Sequence, residues 1–382
     1  MRHFGIVSYN IYCNFTNYGS ALQSWALFQT VEQLGGDMFG AKLIDYCPEV
    51  LADKDPLDPF RNMWDKDEES RRMCELSLPA IKENYYKFDR FYNTAFKKTK
   101  NKYTSKNFND VVFDEQIDGF ICGSDTIFCI DEFKGFDDGY YANYDCMKHG
   151  YSISYAASFG DAHFNADTYK ILNERLSNFK AIGLRENDLI PYVTEHTSVD
   201  VQRTIDPTLL LTAENYDSIA EKERLESRKY LLLYARRYNK KMEEYAQRLA
   251  DKNGWEIVEI SLRATNADKH RMFYEAGVEE FLSLVKYAEY VVTNSFHGMI
   301  FSVQYKRQFV IFSREQCSTK ITELLELFEL SDRLMITGTE TIASEIDYDA
   351  VHSRIAKERK RSLEFLREKL FDNPAIDAEI LK

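Results

Sequence analysis

The sequence is short of positive charge. Its 382 residues carry 49 Lys and Arg against 62 Asp and Glu, a formal net charge of −13. Nucleic-acid affinity rests largely on Lys and Arg contacts to phosphate, so nucleic acid is not an expected partner. A local basic pocket for a small anion stays open. Long apolar runs are also missing: no stretch of about 18 apolar residues exists, so nothing reads as a membrane span. In MRHFGIVSYNIYCNF, Asn and Tyr interrupt any apolar stretch, which argues against a signal peptide. The seven cysteines are scattered, odd in number and without a CxxC pair. That pattern favours free thiols in a reducing compartment and offers no zinc-ligand spacing. A cytoplasmic chain is therefore expected, with no metal. G-x-S-x-G, Walker A and H-E-x-x-H are absent, which argues against the common hydrolases, NTPases and zinc proteases. No repeat or low-complexity tract appears.

What is present is an alternation of short apolar runs and helical stretches. The length suggests two domains of roughly 150 to 200 residues each. Hydrophobic residues make up 44%, enough for a sizeable core, and aromatics reach 14%. FGIVSYN reads as a strand, followed by the loop NFTNYGS. Leu22, Trp25, Phe28, Val31 and Leu34 then recur every three residues, which predicts a helix ended by Gly35-Gly36. KLIDY, GFICGS, SISYAAS and AIGLRE read as further buried parallel strands. Residues 48–110 are charged and aromatic without clear strands, and are expected to form a helical insertion or lid. The expected domains are 1–225, including that insertion, and 226–345. A final helix within 346–382 is expected to pack back on the first domain. In the second domain KYLLLYARR, WEIVEIS, YVVTNS and FVIF read as strands. The fold class is thus α/β, two Rossmann-like domains with a cleft, as in many glycosyltransferases. Ligands of such sheets sit beyond the carboxyl ends of the strands.

Candidate site residues fall at those ends. In YVVTNSFHGMIFS a buried strand runs into Ser295, His297 and Gly298, where a helix start supplies free N–H groups and a positive dipole end. His297 is either a proton carrier beside an anion site or a satisfied turn histidine. GFICGSDTIF places Ser124 and Asp125 at a second such turn, where Asp125 either caps a helix or does chemistry. Arg185 ends AIGLRE and either faces an oxyanion or pairs with Glu186. Asn17 and Gly19 in NFTNYGS either hold a sugar hydroxyl or cap the helix, and Ser20 shares that choice. Arg236 and Arg237 end another strand, either as cations facing a ligand or as a solvated strand end.

Taken in order, NYGSALQSWAL, GFICGSD, SISYAASFG, GLREND, IDPTLLL and VVTNSFHGMIFSVQYKRQFVIF resemble the polysaccharide pyruvyl transferase family over roughly residues 4–330. The resemblance implies a glycosyltransferase-B-like fold and transfer of pyruvate from phosphoenolpyruvate to a free or lipid-linked sugar as a ketal. It implies His297 as proton carrier, Arg185 on the donor's carboxylate or phosphate, and a role for Asp125. No cofactor is implied. A lipid-linked acceptor would bring the chain to the inner membrane face. Many members resemble T-x-R-x-H-G, whereas Ser295 stands here at the Arg position. Arg236, Arg237, Arg314 and Lys320 are the cations that could take over. A nucleotide-sugar glycosyltransferase and a non-catalytic sugar-binding relative remain the alternatives, and oligomerisation is left open.

Overall fold

A computed structural model describes residues 2–12, 16–58, 68–261, 264–313, 318–340, 342 and 344–373. Arg314 lies outside them. Among the described residues thirteen strands build two sheets, and every pairing is parallel. The first sheet contains β1 (Arg2–Val7), β2 (Phe39–Tyr46), β3 (Lys98–Tyr103), β4 (Gly119–Cys122), β5 (Ser152–Ala157), β6 (Ala181–Leu184) and β7 (Asp200–Arg203), in the order β3-β2-β1-β4-β5-β6-β7. The second contains β8 (Tyr230–Tyr234), β9 (Glu256–Ile260), β10 (Arg271–Met272), β11 (Tyr290–Thr293), β12 (Gln308–Phe312) and β13 (Leu334–Met335), in the order β10-β9-β8-β11-β12-β13. The second order repeats the first, less one edge strand. Each sheet therefore reverses its winding direction at one point, between β1 and β4 and between β8 and β11, where doubly wound sheets hold ligands.

Eight helices of nine or more residues cover these sheets among the described residues: α1 (Tyr18–Gly35), α2 (Glu68–Thr94), α3 (Ala166–Leu176), α4 (Lys240–Asn253), α5 (Val278–Lys286), α6 (Phe296–Gln304), α7 (Ser318–Phe328) and α8 (Tyr348–Phe371). The apolar spacing in α1 suggests one buried stripe, yet 14 of its 18 residues are buried. The reason is its place: it packs on the first sheet with one side and on the second lobe with the other. Tyr18 stacks on Phe281 at 4.6 Å, and Trp25 meets Tyr216 at 5.6 Å. A helix enclosed on all sides carries small and apolar residues all round.

The stretch 48–110 differs from its expected all-helical form. After α2, Lys98–Tyr103 forms the edge strand β3. Its sequence, KTKNKY, hides the strand because lysines blunt an exposed sheet edge. α2 itself bridges the lobes. Lys87 pairs with Glu280 at 2.5 Å, and the Asn84 side chain donates to the Ala276 carbonyl at 2.5 Å. α8 runs back in the other direction. Near its start His352 Nε2 lies 2.9 Å from the Val303 carbonyl, and near its end Lys369 pairs with Asp200 at 3.0 Å while Phe371 packs on Phe39. One apolar core accordingly runs through both lobes, from Phe4 and Ile121 to Val291 and Phe309.

Candidate active site

The site forms where the carboxyl ends of the two sheets meet. β11 ends at Thr293, and α6 begins three residues later. Ser295 caps α6: its hydroxyl accepts from Gly298 N at 3.2 Å. His297 falls in the first helical turn, with its side chain only 9% exposed. Gly298 lets the turn close. A Cβ there would stand 2.6 Å from Thr293 Oγ1 and 2.9 Å from the Tyr234 ring.

Two elements of the first lobe fix the imidazole. The first turn of α1 lies flat against it, so that a Cβ on Gly19 would stand 1.9 Å from His297 Nδ1. Asp206 approaches the opposite nitrogen, its Oδ2 lying 3.4 Å from Nε2, within ion-pair distance but without good hydrogen-bond geometry. Asp206 is fully buried. Its Oδ2 accepts from Arg185 Nη1 at 3.0 Å, and its Oδ1 accepts from the Thr208 amide and hydroxyl at 2.9 and 2.5 Å. Burial pushes its carboxyl up, but His297, Arg185 and Thr208 outweigh burial and hold it well below the usual carboxylate range. Arg185 is buried too, and its Nε donates to Glu186 at 2.9 Å. Glu186, Asp206 and Asp125 hold its proton more firmly than burial loosens it. Arg185, Asp206 and His297 thus form one connected line.

Asp125 closes the group from β4. Its backbone is left-handed, with φ 73°. Oδ2 accepts from the Ser20 hydroxyl at 2.7 Å and Oδ1 from Thr126 N at 2.9 Å. Burial raises its carboxyl, but the charges of Arg185, Lys320 and His297 and the Ser20 hydroxyl bring it below the ordinary range.

Two pockets flank this group. One, with about 340 Å³ of space, is lined by Arg185, Arg203 and Lys320 together with Asp206, Glu186 and Glu323, with Phe296 as its apolar wall. Glu186 and Asp206 are already paired with Arg185, and Glu323 accepts from Asn187 N. Arg185 Nη2 and Arg203 Nε are buried without a hydrogen-bond partner, so two guanidinium donors are unspent here. The Arg185 guanidinium lies 5.0 Å over the Phe296 ring, and Lys320 Nζ lies 5.8 Å over it. The other pocket, with about 660 Å³ of space, is lined by Tyr9, Asn10, Asn17, Ser20, Phe88, Tyr92 and Glu132 among others.

Of the residues singled out in the sequence, His297, Asp125, Arg185, Lys320 and Gly19 come together. Three others spend their side chains on the backbone. Ser295 caps α6, Asn17 caps α1 by accepting from Gly19 N and Ser20 N, and Ser124 Oγ donates to the Ala156 carbonyl at 2.7 Å. Arg236 lines neither pocket, and its backbone N–H donates to Asn294 at 2.8 Å. Asp206, Arg203, Glu132 and Tyr9 were not singled out. Asp206 had one visible signal, the turn-forming Asp-Pro after a strand.

Two parallel α/β lobes with a cation-bearing pocket at their junction give this chain the glycosyltransferase-B architecture. The chain belongs to the polysaccharide pyruvyl transferase family, whose model matches residues 17–316. No curated protein matches the chain. Among solved structures it is similar to a Listeria monocytogenes protein described as a UDP-N-acetylglucosamine 2-epimerase, at 10% identity and a TM-score of 0.50, covering 98% of this chain and 92% of that one. It is also similar to the Neisseria meningitidis UDP-GlcNAc 2-epimerase (9%, TM-score 0.48, 98% and 100% covered) and to the Escherichia coli ADP-heptose LPS heptosyltransferase II (10%, TM-score 0.37, 97% and 100% covered). At such identities the likeness concerns the fold alone. Among the described residues no helix is long and apolar enough to cross a membrane.

Proposed function

We propose that the chain transfers pyruvate from phosphoenolpyruvate to a sugar, closing a ketal across two hydroxyls during polysaccharide assembly in the cytoplasm. A lipid-linked acceptor would bring it to the inner membrane face. The observation that carries this reading is the line Arg185–Asp206–His297 at the edge of a pocket with unspent guanidinium donors. Phosphoenolpyruvate is a small compact anion with a carboxylate and a phosphate. Guanidinium forks match both groups, and Lys320 adds a point charge for the departing phosphate.

In the proposed reaction His297 delivers a proton to C3 of the enol, and C2 becomes cation-like. Asp125, held ionised by its neighbours, stabilises that positive carbon. One sugar hydroxyl bonds to C2, the C2–O bond to phosphate breaks, and the second hydroxyl closes the ketal. Two hydroxyl protons are released. One balances the proton gained at C3 and the other leaves on phosphate, so no electrons or protons are left over.

The test is incubation with phosphoenolpyruvate and a panel of free and lipid-linked glycosides. Phosphate release together with a glycoside heavier by one pyruvate ketal is expected. Turnover of a nucleotide sugar with release of its nucleotide, and none of phosphoenolpyruvate, would overturn the reading in favour of a glycosyltransferase.

A further inference from the structure

The larger pocket is chemically unlike the cation-bearing one. Phe88 and Tyr92 of α2, Phe133, Tyr9 and Leu51 give it an aromatic and aliphatic wall. Asn10, Asn17, Thr16 and Ser20 give it a polar rim, and among the described residues lining it Glu132 alone is charged. Glu132 is fixed at both oxygens. Oε1 accepts from the Tyr9 hydroxyl at 2.6 Å and Oε2 from the Thr126 hydroxyl at 2.7 Å, which leaves further lone pairs for a ligand. The pocket also adjoins the reacting group. Ser20, part of its wall, donates to Asp125, and Thr126, bonded to Glu132, donates its amide to the same carboxylate.

We infer that this pocket seats the acceptor as an uncharged hexopyranoside, with its ring on the aromatic wall and its hydroxyls toward Glu132. The inference rests on the pyruvyl-transfer reading for the identity of the partner reactant. A sugar ring offers an apolar face and a rim of hydroxyls, and the pocket offers complements to both. A uronic acid would set its carboxylate against Glu132, and none of the described lining residues is a cation; Lys320 acts on Glu132 only from outside that lining. Glu132 accepts the proton of the attacking hydroxyl as the sugar O–C2 bond forms, and that proton returns to replace the one given to C3. Glu132 is solvent-exposed, whereas Asp125 is buried and held ionised by Arg185, Lys320 and His297, so Glu132 is the carboxylate free to take up a proton.

The experiment measures saturation transfer by NMR to methyl β-D-galactopyranoside, methyl β-D-glucopyranoside, methyl β-D-mannopyranoside and methyl β-D-glucuronide. Wild type, Leu51→Trp and Glu132→Gln are compared, with phosphoenolpyruvate binding followed separately by calorimetry. Leu51 lines the pocket and is half-buried, so a larger ring there fills pocket space rather than replacing a fully buried core side chain. Wild type should bind at least one neutral glycoside and reject the glucuronide. Leu51→Trp should weaken the neutral glycoside at least about tenfold, some 1.4 kcal/mol, with donor binding unchanged. Glu132→Gln should admit the glucuronide. Neutral binding that ignores both substitutions, or no neutral binding at all, overturns the pocket assignment while leaving the donor reading standing. Pocket-dependent glycoside binding without any affinity for phosphoenolpyruvate overturns the donor reading and leaves the pocket.

Discussion

The turns after β4 and β11 hold the same place in two sheets of the same strand order, yet they present their chemical groups in different ways. After β11 the chain enters a capped nine-residue helix directly, and His297 rides on its first turn. After β4 no long helix follows. Asp125 sits in a left-handed conformation, and its carboxylate is steadied from outside by Ser20 of α1. One group is positioned by its own helix and the other by a neighbour's. α1 serves both turns, holding Asp125 through Ser20 and bracing the His297 ring against Gly19. The histidine and the carboxylate come from different lobes, so the first turn of α1 sets their relative position.

The largest expected effect is chemical and falls on the β11 turn. His297→Ala should lower turnover about 1000-fold, the usual scale for a lost proton carrier, with the far-UV spectrum unchanged. Near wild-type turnover with phosphoenolpyruvate would remove His297 from the reaction.

Next comes Asp206, which joins the two lobes through Arg185 and His297. Asp206→Asn removes one of the two carboxylates paired with buried Arg185, leaving Glu186, and should cost about 3 kcal/mol of unfolding free energy at pH 7. The sign with pH follows from the depressed carboxyl. A group whose folded pKa lies below its unfolded value stabilises the fold above the unfolded pKa, about 3.9, and that stability is lost as pH falls through the folded value. The gap between wild type and variant should therefore be full at pH 7 and shrink below about pH 4. A denaturation series that shows a constant gap would contradict this account.

The α1 contact is tested by Gly19→Ala. Alanine suits a helix, but its methyl would stand 1.9 Å from His297 Nδ1 in a buried contact and must push the ring aside, at a cost in stability of about 1 kcal/mol or more. A displaced catalytic group can cost about 100-fold in turnover. A fall in kcat far larger than the modest fall in melting temperature explains is the signature; a lower melting temperature with kcat unchanged would point to a packing role alone.

Much of this architecture was legible because short buried parallel strands ending in polar residues look alike wherever they occur. The edges were not legible. β3 is a lysine-rich edge strand, and β10 and β13 are two residues long, too short for any periodicity. At the site, His297, Arg185 and Asp125 stand at strand ends, where the fold class alone directs attention. Asp206 and Glu132 could not be found that way. Asp206 reaches His297 only because Pro207–Leu209 is wedged between the lobes, with the Gln304 side chain donating to the Thr208 and Leu211 carbonyls. Glu132 gains its setting from Tyr9, more than a hundred residues earlier. Both owe their setting to tertiary contact: the Asp-Pro pair marks only a turn at Asp206, and no local pattern marks Glu132.

The smallest expected effect separates capping from binding at Ser295. The family resemblance points to a donor-binding position there, since related sequences carry Arg. The structure gives the hydroxyl a different partner, the Gly298 amide, and the proposed donor pocket draws its cations from Arg185, Arg203 and Lys320. If the hydroxyl is a cap, Ser295→Ala should cost about 1 kcal/mol of stability, and Ser295→Asn or Ser295→Asp should restore most of it. The KM for phosphoenolpyruvate should then stay within about twofold across all three variants, because a difference of a few tenths of a kcal/mol is all that a slightly frayed helix start would pass on. A donor KM that rises with Ser295→Ala and is not recovered by Ser295→Asn would instead assign the hydroxyl to the substrate. The β11 turn would then carry donor recognition as well as the proton carrier, and the contrast with the β4 turn would deepen.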